Sequence, residues 1–312
     1  MKDQKELKVS VIMNVHNGEK FIQESIESVI KQIFKNWELI IWDNKSTDKT
    51  FSILSQFKDK RIKYFKSNKF DKLYAARNKA IEKSSGELIT FLDVDDLWLP
   101  HKLSSQIRIM LNPEIDFCFS NYFLISEKGL NIFSKKAFEN LPSGKIYKKL
   151  INFYSVGILT LCLRKDFILK YKLNFDPRFS IIGDMLYVFE LSKNGIAYGD
   201  HNCLACYRSH DSNLSKRKVL LQVREMRQWF KDLKSNGKWK IKELYNLIAL
   251  TNYQRAKGLS QKLSLYQVFR VTLKIKRLSL MFRFLCFYFL KVFPNKIYSF
   301  NLNKLFHRTI IK

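Results

Sequence analysis

Residues 9–112 alternate four times between short β-branched runs and segments whose apolar residues recur at helical spacing, and few chain organisations satisfy that pattern. Val9-Ser-Val-Ile-Met-Asn-Val15 reads as a buried strand, and the turn at Asn17-Gly18 follows it. Phe21, Ile22, Ile26, Val29, Ile30 and Ile33 then predict a helix over 19–34. Trp37-Glu-Leu-Ile-Ile-Trp42 is the second strand, stopped by Asp43-Asn-Lys-Ser46, and a helix runs from Thr47-Asp-Lys-Thr50 to Phe57. Arg61-Ile-Lys-Tyr-Phe65 is the third strand, with a helix over 74–83 behind it that ends near Ser85-Gly86. Glu87-Leu-Ile-Thr-Phe-Leu92 is the fourth, and Pro100 opens a helix to 111. Strands separated by helices predict right-handed βαβ units and a mostly parallel sheet with flanking helices.

Ligands of open sheets of this kind sit at the carboxyl ends of the strands. Residues 14–17, Asp43-Asn44 and Asp93-Val-Asp-Asp96 all follow strands, so one crevice should gather them. There is no G-x-G-x-x-G and no G-x-x-x-x-G-K-[ST], which excludes dinucleotide dehydrogenases and P-loop NTPases.

Asp93 and Asp95 stand two apart at a strand end and therefore share a face. Carboxylates so placed repel unless a cation lies between them or one is protonated. A hard divalent ion such as Mg²⁺ or Mn²⁺ takes one or two carboxylates together with water and phosphate oxygens. The pattern suits a metal-bound diphosphate; it also suits a solvated helix cap at Asp96. Arg77 could clamp a phosphate or decorate an exposed helix face.

The middle segment is less regular. Asp116-Phe-Cys-Phe-Ser120, Ile158-Leu-Thr-Leu-Cys-Leu163 and 204–208 read as strands, and 184–191 as an amphipathic helix. Asp184 lies in that helix's first turn, where the helix dipole favours an acid; facing a crevice, it could also act as a general base. His210, on the polar stretch after Tyr207-Arg-Ser, is either a metal ligand or a surface histidine. Cys203-Leu-Ala-Cys206 lacks further ligands at zinc spacing. The five scattered cysteines argue against a disulfide framework and for a reducing compartment.

Charge divides the chain. Of a net +28, residues 217–312 carry +19, from 22 Lys/Arg against 3 Asp/Glu. A field of that size calls for an anionic partner. Leu220, Val223, Met226 and Phe230, then Leu244, Leu247, Ile248 and Tyr253, recur at helical spacing. Apolar helix faces edged with Lys/Arg suit an anionic membrane surface, or packing on the preceding domain. The longest apolar tract, 278–293, is broken by Arg283 and Lys291, so no membrane span is expected. No apolar run precedes Val9, so no signal peptide is expected either.

Taken in order, Val9-Ser-Val-Ile-Met with Asn17, Ile41-Trp-Asp43-Asn44-x-Ser46-Thr47-Asp48, Arg77-Asn78, Gly86-Glu-x-Ile89, Leu92-Asp-Val-Asp-Asp96 with Pro100, Gly183-Asp184 and Tyr207-Arg-x-His210 resemble a family 2 glycosyltransferase. The resemblance is densest over 8–112 and continues to 215. It implies an α/β chain of GT-A fold, with a catalytic domain over 1–215 and a basic helical extension over 216–312. Within the domain it places the nucleotide-sugar-binding part at 8–112 and the acceptor-binding part at 113–215. It further implies inverting transfer from a nucleotide diphosphate sugar to a hydroxyl of a glycan or lipid-linked acceptor, in bacterial surface polysaccharide synthesis. By the same resemblance Asp95 and Asp93 hold Mn²⁺ or Mg²⁺ with help from His210. Asp93 also approaches the donor, Asp184 is the acceptor-activating base, and Asn14, His16, Asp43 and Arg77 line the nucleotide. Relatives commonly carry a second Asp where Asn44 stands; Asn44 can also accept a hydrogen bond from a uracil N–H, so the resemblance implies a UDP-sugar donor. The expected location is cytoplasmic, peripheral on the inner face of the cytoplasmic membrane. The rival reading, a basic nucleic-acid-binding protein without catalysis, rests on the charge alone; no nucleic-acid motif is present, and uncompensated acids at the crevice would repel phosphate.

Overall fold

The computed structural model describes residues 7–129, 135–214 and 218–235. These fall in two compact units; the first takes in the described residues up to Leu150 together with Tyr154–Asp211. Its strands are β1 (Val9–Val15), β2 (Trp37–Asp43), β3 (Ile62–Lys66), β4 (Leu88–Phe91), β5 (Leu97–Trp98), β6 (Phe117–Ser126), β7 (Lys135–Lys136), β8 (Cys162–Arg164) and β9 (Ala197–Ser209). They form one mixed sheet of order β3-β2-β1-β4-β8-β6-β9-β5, with β7 paired to β6. The first four are parallel, β8 runs antiparallel to both β4 and β6, and β6 and β9 are parallel.

The parallel half follows from sequence. β1 and β2 are buried along their whole length, so apolar residues occupy both faces and the runs read as continuous. β3 is the edge strand and is half exposed, with Lys63 and Lys66 facing solvent as an edge requires. The helices α1 (Ile22–Ile30), α2 (Thr50–Leu54), α3 (Leu73–Glu82) and α4 (Lys102–Met110) connect or follow these strands. Ile22, Ile26 and Val29 of α1 and Leu103, Ile107 and Met110 of α4 join Val9, Val11, Met13, Leu39 and Ile41 in one core. At about 25 cal/mol per Å² of apolar area removed from water, each such side chain contributes roughly 1.5–3 kcal/mol.

The second half departs from the expected pattern. Ile158–Thr160 is a 3₁₀ turn, and β8 begins only at Cys162. The Thr160 hydroxyl and backbone N–H both donate to the Gly157 carbonyl, at 2.7 and 2.9 Å, which closes a turn where the β-branched run predicts a strand. β6 continues to Ser126, six residues beyond the expected end, with register shifts against β9 around Asn121. Three further helices lie here: α5 (Tyr147–Asn152), α6 (Lys165–Tyr171) and α7 (Gly183–Asn194). In the second unit, α8 (Val219–Ser235) buries Val223, Met226 and Leu233 at three- to seven-residue spacing and leaves Leu220 exposed. The remaining helices expected between 236 and 312 lie outside the described residues.

Candidate active site

The ends of β1 and β2 are laced together by their loops. Asn17 and Lys45 take positive φ, 54° and 65°, which turns the chain back sharply after each strand. Asn17 Oδ1 accepts the Thr47 N–H at 2.9 Å, the Asn17 N–H donates to Ser46 Oγ at 2.9 Å, and the Gly18 N–H donates to Thr50 Oγ1 at 2.9 Å. His16 is thereby set beside Asn44, with Nδ1 3.0 Å from the Asn44 carbonyl, and meets Phe70 edge-on at 4.8 Å.

Two of the expected nucleotide ligands have structural partners instead. Asp43 is 1% exposed: Oδ1 accepts the Ser46 N–H at 2.8 Å and Oδ2 the Tyr64 hydroxyl at 2.7 Å. Asn44 spends both amide atoms on the Asp71 backbone, accepting its N–H at 2.9 Å and donating to its carbonyl at 2.7 Å. It fixes the loop ahead of α3, so its side chain is not offered to a base. Asn14 is the opposite case. It is 8% exposed at the end of β1, and neither amide atom has a hydrogen-bond partner among the described residues. Buried polar atoms are almost always paired, so this amide awaits a ligand or a water.

β4 delivers the acidic turn. The Asp96 N–H closes it on the Asp93 carbonyl at 3.0 Å. Arg77, on α3 and 2% exposed, donates Nη2 to Asp93 Oδ1 at 2.5 Å. Asp95 faces the other way, with Oδ2 2.9 Å from Nε2 of His210, which directly follows β9 and is itself nearly buried against the Phe21 ring. Beneath them Arg208 is 1% exposed and reaches three segments. Its Nε donates to the Asp95 carbonyl at 2.9 Å, Nη1 to the Glu127 carbonyl at 2.7 Å, and Nη2 to Glu24 Oε2 at 2.6 Å; its backbone N–H donates to Asp96 Oδ1 at 2.9 Å. Asp184, in the first turn of α7, meets the hydroxyl of Tyr74 from α3.

The carboxylates are underneutralised. Burial pushes Asp93 up to about 6; Arg77 pulls it down, while Asp95 and Asp184 push it further up. Burial also drives Asp96 well above the carboxylate range, and Asp95 and Asp93 add to that. Excess negative charge of this kind is relieved by a divalent cation. The Asp95–His210 pair suits one, because two neighbouring ligands of an octahedral ion with bonds of about 2.1 Å lie about 3 Å apart. Asp93 does not join them: the buried guanidinium of Arg77 claims its carboxylate, and no three His, Cys, Asp or Glu side chains among the described residues form a ligand set. The three residues expected to share a cation are thus not gathered as one set: Asp95 meets His210, while Asp93 meets Arg77.

Residue-type reasoning passed over Tyr74, Asp71 and Phe70, and treated Arg208 only as a motif letter. The available signal for Tyr74 was its place three residues before Arg77 on one helix face.

The family model for glycosyl transferase family 2 matches residues 10–170. The chain is 36% identical over 167 residues to UDP-Glc:alpha-D-GlcNAc-diphosphoundecaprenol beta-1,3-glucosyltransferase WfgD of Escherichia coli, a match covering 54% of this chain and 64% of that protein. It is 32% identical over 213 residues to the putative teichuronic acid biosynthesis glycosyltransferase TuaG of Bacillus subtilis (strain 168), covering 67% of this chain and 82% of that one. In structure it resembles residues 1–349 of S. aureus TarS in complex with UDP-GlcNAc, with a TM-score of 0.62 at 17% identity over 92% of this chain and 82% of that one. It also resembles the mannosyltransferase PcManGT from Pyrobaculum calidifontis in complex with GDP-Man and Mn²⁺, with a TM-score of 0.58 at 11% identity over 93% and 88%. With the strand order and the loop-borne carboxylates described above, these matches show that the chain belongs to glycosyl transferase family 2 and has the GT-A fold.

Proposed function

We propose that the protein transfers a hexosyl or N-acetylhexosaminyl group from a UDP-sugar to a hydroxyl of a lipid-linked glycan, with inversion, in bacterial cell-surface polysaccharide synthesis. The observation that carries this reading is the Asp95–His210 pair beside the Asp93–Arg77 ion pair, at the carboxyl end of the parallel sheet. The E. coli relative, named for UDP-Glc and a GlcNAc-diphosphoundecaprenol, supports the donor and acceptor classes, and the UDP-GlcNAc held by TarS supports the donor class.

In this reading residues 8–112 hold the donor. His16 and Phe70 offer aromatic surface to the base, and the unpartnered Asn14 amide supplies a donor and an acceptor. Asp95 and His210 hold Mn²⁺ or Mg²⁺, which supplies Lewis-acid neutralisation of the departing diphosphate. Arg77 keeps Asp93 from competing for it, and its Nη1, without a hydrogen-bond partner among the described residues, is offered to a phosphate oxygen. Residues 113–215 present the acceptor. Asp184 takes the proton from its hydroxyl as that oxygen attacks the anomeric carbon; the bond to the diphosphate breaks on the opposite face, and the configuration inverts. The basic segment over 216–312 holds the enzyme to an anionic membrane surface from the cytoplasmic side. No helix among the described residues is long and apolar enough to cross a membrane.

The test is a panel of nucleotide diphosphates and nucleotide sugars scanned for thermal stabilisation with and without Mn²⁺. A ligand at 100 times its Kd adds about 2.7 kcal/mol. We expect a Mn²⁺-dependent shift with UDP and one UDP-sugar, lost in Asp95→Asn. Asp184→Asn should keep the shift and lose transfer by about 10²–10⁴-fold. No shift with any nucleotide, together with salt-sensitive binding to RNA or DNA, would overturn the reading.

A further inference from the structure

We propose that Tyr74 is the positioning residue for the acceptor-activating carboxylate. Its phenol donates to Asp184 and holds one carboxylate oxygen, so that the other is presented to the acceptor hydroxyl. The proposal rests on the reading of Asp184 as the base.

Tyr74 is 1% exposed and locked on several sides. Its ring stacks on Phe175 at 5.7 Å and 6°. The Gly183 backbone lies so close that a methyl group there would fall 2.3 Å from the Tyr74 ring, so only glycine admits the tyrosine at this contact. The phenol lies at the hydrogen-bonding distance of 3.0 Å from the Ile181 carbonyl and in contact with Asp184 Oδ1. The carboxylate is the stronger acceptor and takes the proton. A ring so confined does not follow the carboxylate; the carboxylate conforms to the ring.

The same helix face carries Arg77, one turn on, with its guanidinium on Asp93. α3 therefore grips the donor-side acid through Arg77 and the acceptor-side acid through Tyr74. The groups that face Asp184 are Tyr74 and Arg77 from α3, Asp93 from the turn after β4, and Tyr154 from the segment after α5. Among the described residues, Tyr74 is the side chain that hydrogen-bonds the Asp184 carboxylate. A misplacement of about 1 Å in a reacting group is enough to cost roughly 10²-fold, and this clamp guards against such a misplacement.

The experiment uses the full chain and two readouts. In protein labelled with ¹³C at the aspartate carboxyls, the Asp184 resonance is assigned by its absence in Asp184→Asn. At one fixed pH, Tyr74→Phe should shift that carboxyl resonance, because the phenol no longer donates to it. UDP release from UDP-glucose with saturating Mn²⁺ and water as acceptor should fall about tenfold in Tyr74→Phe, the loss expected for one hydrogen bond to a charged group. Donor Kd should stay within about twofold of the parent value. Adding Tyr74→Phe to Asp184→Asn should lower the rate no further. Gly183→Ala, which forces the ring aside, should reproduce the Tyr74→Phe resonance change and serves if the phenylalanine variant folds poorly. An unmoved Asp184 resonance, or the same loss on the Asp184→Asn background, overturns the proposal while leaving the base reading intact. A parent-like rate in Asp184→Asn overturns the base reading, and the proposal with it.

Discussion

Replacing Arg208 with methionine keeps most of the side-chain volume and removes every donor. The Asp95 and Glu127 carbonyls each lose a charge-assisted bond, at 2.9 and 2.7 Å. Such bonds contribute about 1.5–3 kcal/mol apiece. The third partner, Glu24, is 59% exposed and tied through a single oxygen at 2.6 Å, so that pair adds only about 0–1 kcal/mol. Losing the charge also leaves the Asp93–Asp95–Asp96 turn with one less counter-charge. These contributions reach about 3–7 kcal/mol, and the usual range for breaking a buried pair, about 3–5 kcal/mol, sets the expected cost. At about 2–4 °C per kcal/mol for a unit of this size, the thermal midpoint should fall by roughly 6–20 °C. Differential scanning calorimetry reads that fall, and Mn²⁺-dependent stabilisation by UDP should weaken alongside it, since Arg208 holds the Asp95 backbone. Arg208→Lys should fall between the two because one donor direction survives. A midpoint within about 2 °C of the parent would refute the claim that Arg208 braces this turn.

Three further outcomes follow from buried groups. Glu38 is 2% exposed; burial pushes its carboxyl up, but Lys63, Ser10 and Ser85 more than offset that and hold it at about 2, below the ordinary 4.5. Its stabilisation is present above pH 4.5 and is lost as pH falls through about 2. Glu38→Gln should therefore cost about 3 kcal/mol near neutrality, and parent and variant should converge in acid. Lys102 is fully buried, donating to Thr90 Oγ1 at 2.9 Å and Gln106 Oε1 at 2.6 Å, and burial lowers it to about 7 from 10.5. Between those values the unfolded chain holds the extra proton, so the parent should gain stability as pH rises from about 7 to 10.5, and Lys102→Met should lack that slope. Gly86→Ala would place a methyl 2.6 Å from the Ser10 nitrogen and 2.8 Å from the Lys8 carbonyl, backbone that has no room to yield, and should lower stability by about 1–3 kcal/mol in urea unfolding.

The parallel half was readable because its physics is local. β1 is buried on both faces, so seven consecutive residues advertise it, and β4 announces the acids that follow it. What resisted reading was partner choice. Asp93 turns to Arg77, Asn44 to the Asp71 backbone and Asp184 to Tyr74, and each pairing depends on how α3 seats against β1 and β2. The strand expected over 158–163 failed for a smaller reason. Thr160 has the β-branched shape of a strand residue, yet its hydroxyl found a carbonyl three residues back.

The pairing of Asp95 with His210 joins positions 115 residues apart. His210 directly follows β9, whose parallel pairing with β6 also joins distant stretches of chain. A contact of that span carries a loop-closure cost that local contacts do not. A segment over 8–112 thus carries nearly every recognisable letter of the signature and still lacks His210, the partner of Asp95. On the proposed function, a chain still short of His210 would not yet hold its donor, and the cell's pool of activated sugars would stay untouched.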